Sequence, residues 1–96
     1  MTNIMSQQEA VIAGKKYAEK QQENYKKFLS DYWYEIADNW DIKLHVVGDR
    51  KDETVKIVAT IYPAYEWIDG YRHVNTDETY DVWEKTVPKT KVFTWL

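Results

Sequence analysis

The chain has 96 residues, of which 30% are charged and 16% aromatic, and its formal net charge is −3. This length predicts a single domain spanning residues 1–96, and the mild negative charge argues against general affinity for nucleic acid. The absence of cysteine excludes a disulfide framework, a thiolate metal site and a cysteine nucleophile. It is typical of a reducing compartment, and the N-terminus lacks the features of a signal peptide, so we expect a cytoplasmic protein. No apolar run approaches the roughly 20 residues that span a bilayer.

The N-terminal part of the chain predicts one long amphipathic helix over residues 6–38. Ser6 and Glu9 have the spacing of a capping box, and good helix formers follow them. Apolar residues then recur with helical period on one side of the helix. They are Ala10, Val11, Gly14, Tyr17, Ala18, Tyr25, Phe28, Leu29, Tyr32, Ile36 and Trp40.

A helix of this length would measure about 48 Å, which is longer than a small sheet. Its N-terminal half would therefore extend beyond any sheet that this chain can build. The apolar side there consists of the small residues Ala10, Gly14 and Ala18, which allow another helix to approach closely. A homodimer through the N-terminal helix is one hypothesis, and fraying of the first turns or a bend near Gly14 is the alternative.

The rest of the chain, residues 42–96, predicts an antiparallel sheet. Apolar and polar residues alternate over 42–47 and 54–62, and a polar loop joins the two strands. Pro63 is expected to end or bend the second strand, and Asp69-Gly70 predicts a two-residue hairpin of type I′. Residues 76–86 favour a strand over a helix, and residues 91–96 are predicted to form a terminal strand. The fold class is therefore α+β, with one long N-terminal amphipathic helix packed on a meandering antiparallel sheet of four to six strands.

The sequence indicates no enzyme, cofactor or metal. Ser6 and Ser30 are a predicted cap and a mid-helix residue, and no nucleophile motif is present. His45 and His73 are predicted on a strand surface and near a turn, which is typical of ordinary surface histidines. The three glycines are too far apart for a phosphate-binding loop, and the acids between 77 and 84 match no calcium loop.

Acidic residues and aromatic residues coincide in two blocks. Residues 28–41 contain four acids and no base, and residues 66–84 contain six acids with Arg72 as the only base. Carboxylates beside exposed rings suit a basic groove on another protein, since charge steers the encounter and buried rings supply affinity. The predicted partner-binding residues are Trp33, Tyr34, Glu35 and Asp38 on the helix, and Trp67, Asp69, Tyr71 and Trp83 on the sheet side.

These observations predict a small acidic protein-binding module, an inhibitor or adaptor of a larger protein with a basic surface, such as a protein that handles nucleic acid. In size, acidity and aromatic content the chain resembles small phage-encoded antagonists of host or defence enzymes. The alternative is an oligomeric protein that binds or sequesters a nucleotide or metabolite in a pocket between protomers, lined by Tyr, Trp and Arg72. Direct binding of nucleic acid or of a membrane is not expected.

Overall fold

The computed structural model describes residues 4–21, 33–49 and 51–92. This part of the chain forms one long helix, five strands and a short second helix. They are α1 (Gln7–Lys20), β1 (Tyr34–Ala37), β2 (Trp40–Val47), β3 (Thr54–Ile68), β4 (Tyr71–Val74), β5 (Tyr80–Pro88) and α2 (Lys89–Val92). All strand pairs are antiparallel: β2 pairs with β1 and β3, and β3 also pairs with β4 and β5. The α+β class, with an N-terminal helix packed on an antiparallel sheet, is confirmed.

Helix α1 begins at the predicted capping box and packs its small residues against the sheet. Ser6 and Glu9 exchange side-chain-to-backbone hydrogen bonds of 3.2 Å in both directions. Ala10 and Ala18 are completely buried, and a Cβ atom at Gly14 would lie only 2.9 Å from a methyl of Val82. The small residues therefore serve close approach to the chain's own sheet. The expected overhang is wrong, and the sheet covers this stripe; the homodimer through the N-terminal helix stays a prediction.

The predicted extension of this helix to Asp38 is wrong. Helix α1 ends at Lys20, with Gln21 as its C-cap. Met5 donates its backbone N–H to Asn39 Oδ1 at 3.0 Å, and the Asn39 amide donates to the Met5 carbonyl at 2.9 Å. A straight helix would separate these two residues by about 51 Å, at 1.5 Å per residue, so the chain must double back.

The residues expected to end that helix form strand β1 instead. Tyr34 and Ile36 alternate with the exposed Glu35, which is the period of a strand, and aromatic and β-branched residues favour strands. The helical interpretation matched Ile36 and Trp40 at a spacing of four and passed over this shorter period. Residues 22–32 of the predicted helix lie outside the described residues.

The hydrophobic core lies between α1 and one face of the sheet. The alternation predicted for β2 and β3 is confirmed, since their inward side chains are almost completely buried. These are Ile42, Leu44, Ile57, Ala59 and Ile61. The side chains between them point to the opposite face of the sheet, called here the outer face.

Strand β3 is longer than predicted and continues through Pro63. Pro63 lies opposite Trp40, the first residue of β2, so its missing N–H falls at the end of that ladder. Its carbonyl accepts the Asn75 N–H at 2.6 Å. Burial along β3 falls from complete at Ile61 to exposed from Tyr65 onward.

Three other sequence predictions can be compared with the structure. Asp69 and Gly70 have φ values of 52° and 82°, which confirms the turn with two positive φ angles. The strand favoured within residues 76–86 is confirmed as β5. The terminal strand is wrong at residues 91 and 92, which belong to α2, and its remaining residues lie outside the described part. Among the described helices, none is long and apolar enough to cross a membrane.

Candidate interaction surface: the finger and its arginine anchor

The three most exposed large apolar side chains of the described residues, Tyr65, Trp67 and Tyr71, lie on one hairpin. We call this hairpin the finger and define it as residues 64–74, which contain the end of β3, the Asp69-Gly70 turn and β4. Relative exposure is 62% for Tyr65 and Trp67, 43% for Ile68 and 74% for Tyr71. In the described chain, the Ala64 N–H donates to the Asn39 carbonyl at 3.0 Å, and the strand ladder of β3 beyond Pro63 is formed with β4 alone. The finger is therefore a two-stranded ribbon that projects beyond the core.

The finger carries apolar side chains on both of its faces. Trp67 lies directly opposite Arg72 in the register, and Ile68 lies directly opposite Tyr71. Because successive side chains of a strand alternate, these two pairs point in opposite directions. One face therefore presents the Trp67 indole, and the other presents Ile68 and the Tyr71 phenol.

Arg72 attaches the finger to the β1–β2 hairpin. Its side chain is only 10% exposed, and Nη2 donates to the carbonyl oxygens of Ala37 at 2.5 Å and Asp38 at 2.7 Å. Its Nη1 lies 3.0 Å from Glu35 Oε2, and its Nε lies 2.7 Å from Asp41 Oδ1. Neither Nη1 nor Nε makes a directed hydrogen bond to these carboxylates, so both contacts are ion pairs.

The guanidinium of Arg72 also supports the Trp67 ring. The central carbon of the guanidinium lies 6.0 Å from the ring centroid, within the range of a cation–π contact. A planar guanidinium suits this position because it can bind several oxygens in its plane and face an indole at the same time. Trp67 is thus held from one side and remains 62% exposed.

Two carboxylates face this single cation, and the buried one titrates abnormally. Asp41 is 2% exposed, and burial raises the pKa of its carboxyl to about 6. Arg72 lowers the pKa of Asp41 and Glu35 raises it, and both effects are smaller than that of desolvation. Near neutral pH the two carboxylates outweigh Arg72 by one charge, so the base of the finger is not a source of positive potential.

A second polar network crosses three strands on the outer face. The Thr60 hydroxyl donates to Asp81 Oδ1 at 2.7 Å and lies 2.9 Å from His45 Nε2. Since that hydroxyl has one hydrogen, His45 Nε2 must be the donor to Thr60. Burial raises the pKa of the neighbouring Tyr62 phenol, and Asp81 contributes in the same direction. Thr60 is 2% exposed, so its hydroxyl is a structural link and is not accessible as a nucleophile.

The structure separates the predicted partner-binding residues into three groups. Glu35, Asp38 and Trp67 meet at Arg72, and Asp69 and Tyr71 lie farther out on the finger. The others lie elsewhere on the sheet: they are Trp33, Tyr34 and Trp83.

None of these three residues belongs to the finger. Trp33 lies on the outer face, 37% exposed, with its ring edge-to-face to Tyr62 at 4.2 Å. Tyr34 and Trp83 are half-buried against the core. The prediction that Tyr34 and Glu35 lie on an exposed helix face is wrong, because both belong to β1.

Sequence reasoning missed Arg72 as an anchor, and it missed Tyr65 and Ile68 as exposed residues. Arg72 is the only base in a block of six acids, and a lone base in such a block is a candidate for ion pairing. The Asp69-Gly70 turn also fixes which residues of the ribbon lie opposite each other, so the two faces were readable from the sequence. The pairing of Arg72 with Asp41 was not readable, because it joins residues 31 positions apart.

Comparisons with known proteins add no assignment. The chain matches no protein-family model, no curated protein and no solved structure. Within the described residues, no group of three or more His, Asp or Glu side chains is placed to hold a metal ion.

Proposed function

We propose that the protein is a non-enzymatic protein-binding module that docks the finger in a basic groove of a larger protein, as an inhibitor or adaptor. The observation that carries this proposal is the exposure of Tyr65, Trp67, Ile68 and Tyr71 on one short ribbon. Fully burying a large apolar side chain contributes about 1.5–3 kcal/mol relative to leaving it exposed. A partner that covers these four side chains would gain part of this free energy, and such exposed patches are typical of interaction sites. Tyr and Trp are also the residue types that dominate binding energy at protein interfaces.

Charge around the finger favours a basic partner. Glu66 and Asp69 are exposed on the finger itself, and Asp77 and Glu78 follow in the loop before β5. Arg72 is covered and paired with Glu35 and Asp41. A partner with lysine and arginine around its groove would attract this surface, whereas a partner with carboxylates there would repel it.

A basic groove on a protein commonly serves to bind nucleic acid, whose phosphates are its natural ligands. An acidic ribbon with exposed rings can occupy such a groove, because rings replace the stacked bases and carboxylates replace the phosphates. This chemistry supports an inhibitor that competes with nucleic acid for the groove. The compositional resemblance to small phage-encoded antagonists agrees with such a role.

The cationic residue required by the alternative, a ligand pocket between protomers, is not available to a ligand. Arg72 was to line that pocket, but its guanidinium already contacts Asp41, Glu35 and two backbone carbonyls and is 10% exposed. No observation on the described residues favours this alternative over the protein-binding proposal.

The test is affinity capture from a lysate with three forms of the tagged protein, followed by mass spectrometry. The wild type is compared with the double variant Trp67→Ala/Tyr71→Ala and with the control Ile12→Ala. Ile12 is 55% exposed on α1, away from the finger, so its loss removes exposed apolar surface from a different place. We expect a protein that the wild type and Ile12→Ala retain and the double variant does not.

Capture is then repeated with the purified protein so identified. Binding should weaken as salt rises from 50 to 500 mM, and a nucleic acid bound by that protein should compete with the wild type. The proposal fails if all three forms retain the same proteins equally, or if binding is insensitive to salt and nucleic acid does not compete.

A further inference from the structure

We infer that the finger is inserted into a cleft and is contacted on both of its faces, so the partner does not present a flat surface. This inference rests on the proposed function and specifies the shape and chemistry of the partner site. The occupied site would have apolar walls on two sides, with basic residues where the carboxylates of the finger come to lie.

The first step is the distribution of apolar surface between the two faces. Trp67 belongs to the face that also carries Arg72, whereas Ile68 and Tyr71 belong to the opposite face. A flat partner would cover one of these faces and leave the other in water. Tyr71, which is 74% exposed, and Trp67, which is 62% exposed, can both be covered only by surfaces on opposite sides of the ribbon.

The second step is the small cross-section of the tip. The turn consists of Asp69 and Gly70, the shortest loop of a hairpin, and no atom lies within 4 Å of where a Cβ of Gly70 would be. Two strands lie about 5 Å apart, so the ribbon is narrow enough to enter a cleft in a larger protein. The Asp69 carboxylate enters first, and this places a lysine or arginine on the floor of the cleft.

The third step is the support at the base of the finger. An isolated two-stranded hairpin is marginally stable in water, so an unsupported finger would lose much conformational freedom on insertion. Arg72 binds the carbonyls of Ala37 and Asp38 and pairs with Glu35 and Asp41, which attaches β4 to another hairpin. The finger therefore enters the cleft as a ribbon that is already formed.

The deciding experiment is site-specific photo-crosslinking in the full-length protein. Benzoylphenylalanine, an aromatic amino acid, replaces Trp67 in one form, Tyr71 in a second and Ile12 in a third, and each is irradiated in the lysate used for capture. We expect positions 67 and 71 to cross-link to the same protein and position 12 to give no cross-link to it.

The outcomes separate this inference from the proposed function. Cross-links to one protein from position 71 alone, or from position 67 alone, would overturn insertion and leave a docking surface on one face. No cross-link from either position would overturn both statements.

Single alanine variants give a second measurement with the purified partner. For a finger enclosed on both faces, Trp67→Ala and Tyr71→Ala should each weaken binding at least tenfold. A loss confined to one of the two variants would contradict insertion.

The support by Arg72 can be tested without any partner. Arg72→Lys keeps a charge near Asp41 but cannot bind two carbonyls, pair with Glu35 and face the indole at once. We expect the amide hydrogens of β4 to exchange with solvent about tenfold faster, while those of β2 exchange as in the wild type. Lys56→Gln, which removes an ion pair with Glu84 away from the finger, is the matched control. Equal exchange in β4 for wild type and Arg72→Lys would show that the finger is not held by this anchor.

Discussion

Replacing Asp41 with asparagine should change how the stability of the protein depends on pH. Asparagine keeps the size of the side chain and removes the carboxyl that titrates beside Arg72. The pKa of the Asp41 carboxyl rises from 3.8 to about 6 on folding, chiefly because the group is buried. In the window between these two values the folded protein holds a proton that the unfolded chain has released.

The sign and size of the effect follow from that difference in bound protons. Since the folded state binds more protons in this window, the free energy of unfolding falls as pH rises from 4 to 6 and is level above it. A pKa difference of about 2 units corresponds to about 3 kcal/mol, at 1.36 kcal/mol per unit. Asp41 is 2% exposed, so solvent screening does not reduce this value substantially.

The assay is urea unfolding at several pH values from 4 to 7, followed by tryptophan fluorescence. Other carboxyls also titrate in this range, so the quantity to compare is the difference between variants. Because part of the effect already falls below pH 4, the free energy of unfolding should decrease by about 2.4 kcal/mol more for the wild type than for Asp41→Asn between pH 4 and pH 7. Asp77→Asn, which removes a carboxyl from an exposed loop, should keep the wild-type slope. Parallel curves for wild type and Asp41→Asn would refute the assignment of the slope to this buried group.

Glu35→Gln provides an independent check on the same site. The Glu35 carboxylate raises the pKa of Asp41, so its removal should shift the fall in stability toward lower pH. An unchanged curve would show that the two carboxylates do not interact.

Three further substitutions test contacts that fix the sheet and the helix. Gly14→Ala should lower the free energy of unfolding in urea by about 1–3 kcal/mol, because the new Cβ would lie 2.9 Å from a side-chain methyl of β5. Helix propensity alone would make this variant more stable, and that result would contradict the close packing of α1 on β5. Thr60→Val should lower the free energy of unfolding by about 1–2 kcal/mol, because it removes the hydrogen bonds to His45 and Asp81. NMR of the wild type should show the proton of a neutral His45 ring on Nε2, and a proton on Nδ1 would contradict the network. Asn39→Ala should lower the free energy of unfolding by about 1–3 kcal/mol and increase amide exchange in the first turn of α1, because it removes both side-chain hydrogen bonds to Met5. Unchanged exchange in that turn would contradict this link.

The strands of the core were predictable because each has one clearly apolar face. Ile42 and Leu44 alternate with polar residues on β2, and on β3 the residues alternating with Ile57, Ala59 and Ile61 are Lys56, Val58 and Thr60, of which only Val58 is apolar. One-residue shifts in such strands would expose the whole apolar set, so the pattern fixes which side faces inward. The capping box at Ser6 and the Asp69-Gly70 turn were predictable for a similar reason, since their geometry depends on neighbouring residues alone.

The end of α1 was not predictable in the same way. Over residues 32–40 the apolar residues fit both a period of 3.6 and a period of 2, and the sequence gives no local reason to prefer either. Bonds between Met5 and Asn39, 34 residues apart, accompany the strand form. Tyr34 was placed on the helix for the same reason, and its packing against the core depends on the tertiary arrangement of β1.

The candidate surface was predictable in composition and not in shape. Trp67, Asp69 and Tyr71 could be selected from the sequence because acids and rings coincide there. Their projection beyond the core follows from the continuation of β3 past Pro63, where β2 and β5 no longer pair with it. A proline within an apolar strand usually indicates its end, so the sequence argued against this continuation.

The decrease in burial along β3 separates the residues that form the core from the residues of the finger that are free to contact a partner. Ile57, Ala59 and Ile61 are fixed by the core, whereas the seven positions from Tyr65 to Tyr71 contribute nothing to it. The side chains on either side of the Asp69-Gly70 turn can therefore be exchanged to suit a different target, while the turn and the supporting framework keep their fold. Arg72 ends this variable segment. It is the first residue after the turn that is attached to another hairpin, through Glu35 and Asp41, so its replacement would disturb the rest of the molecule.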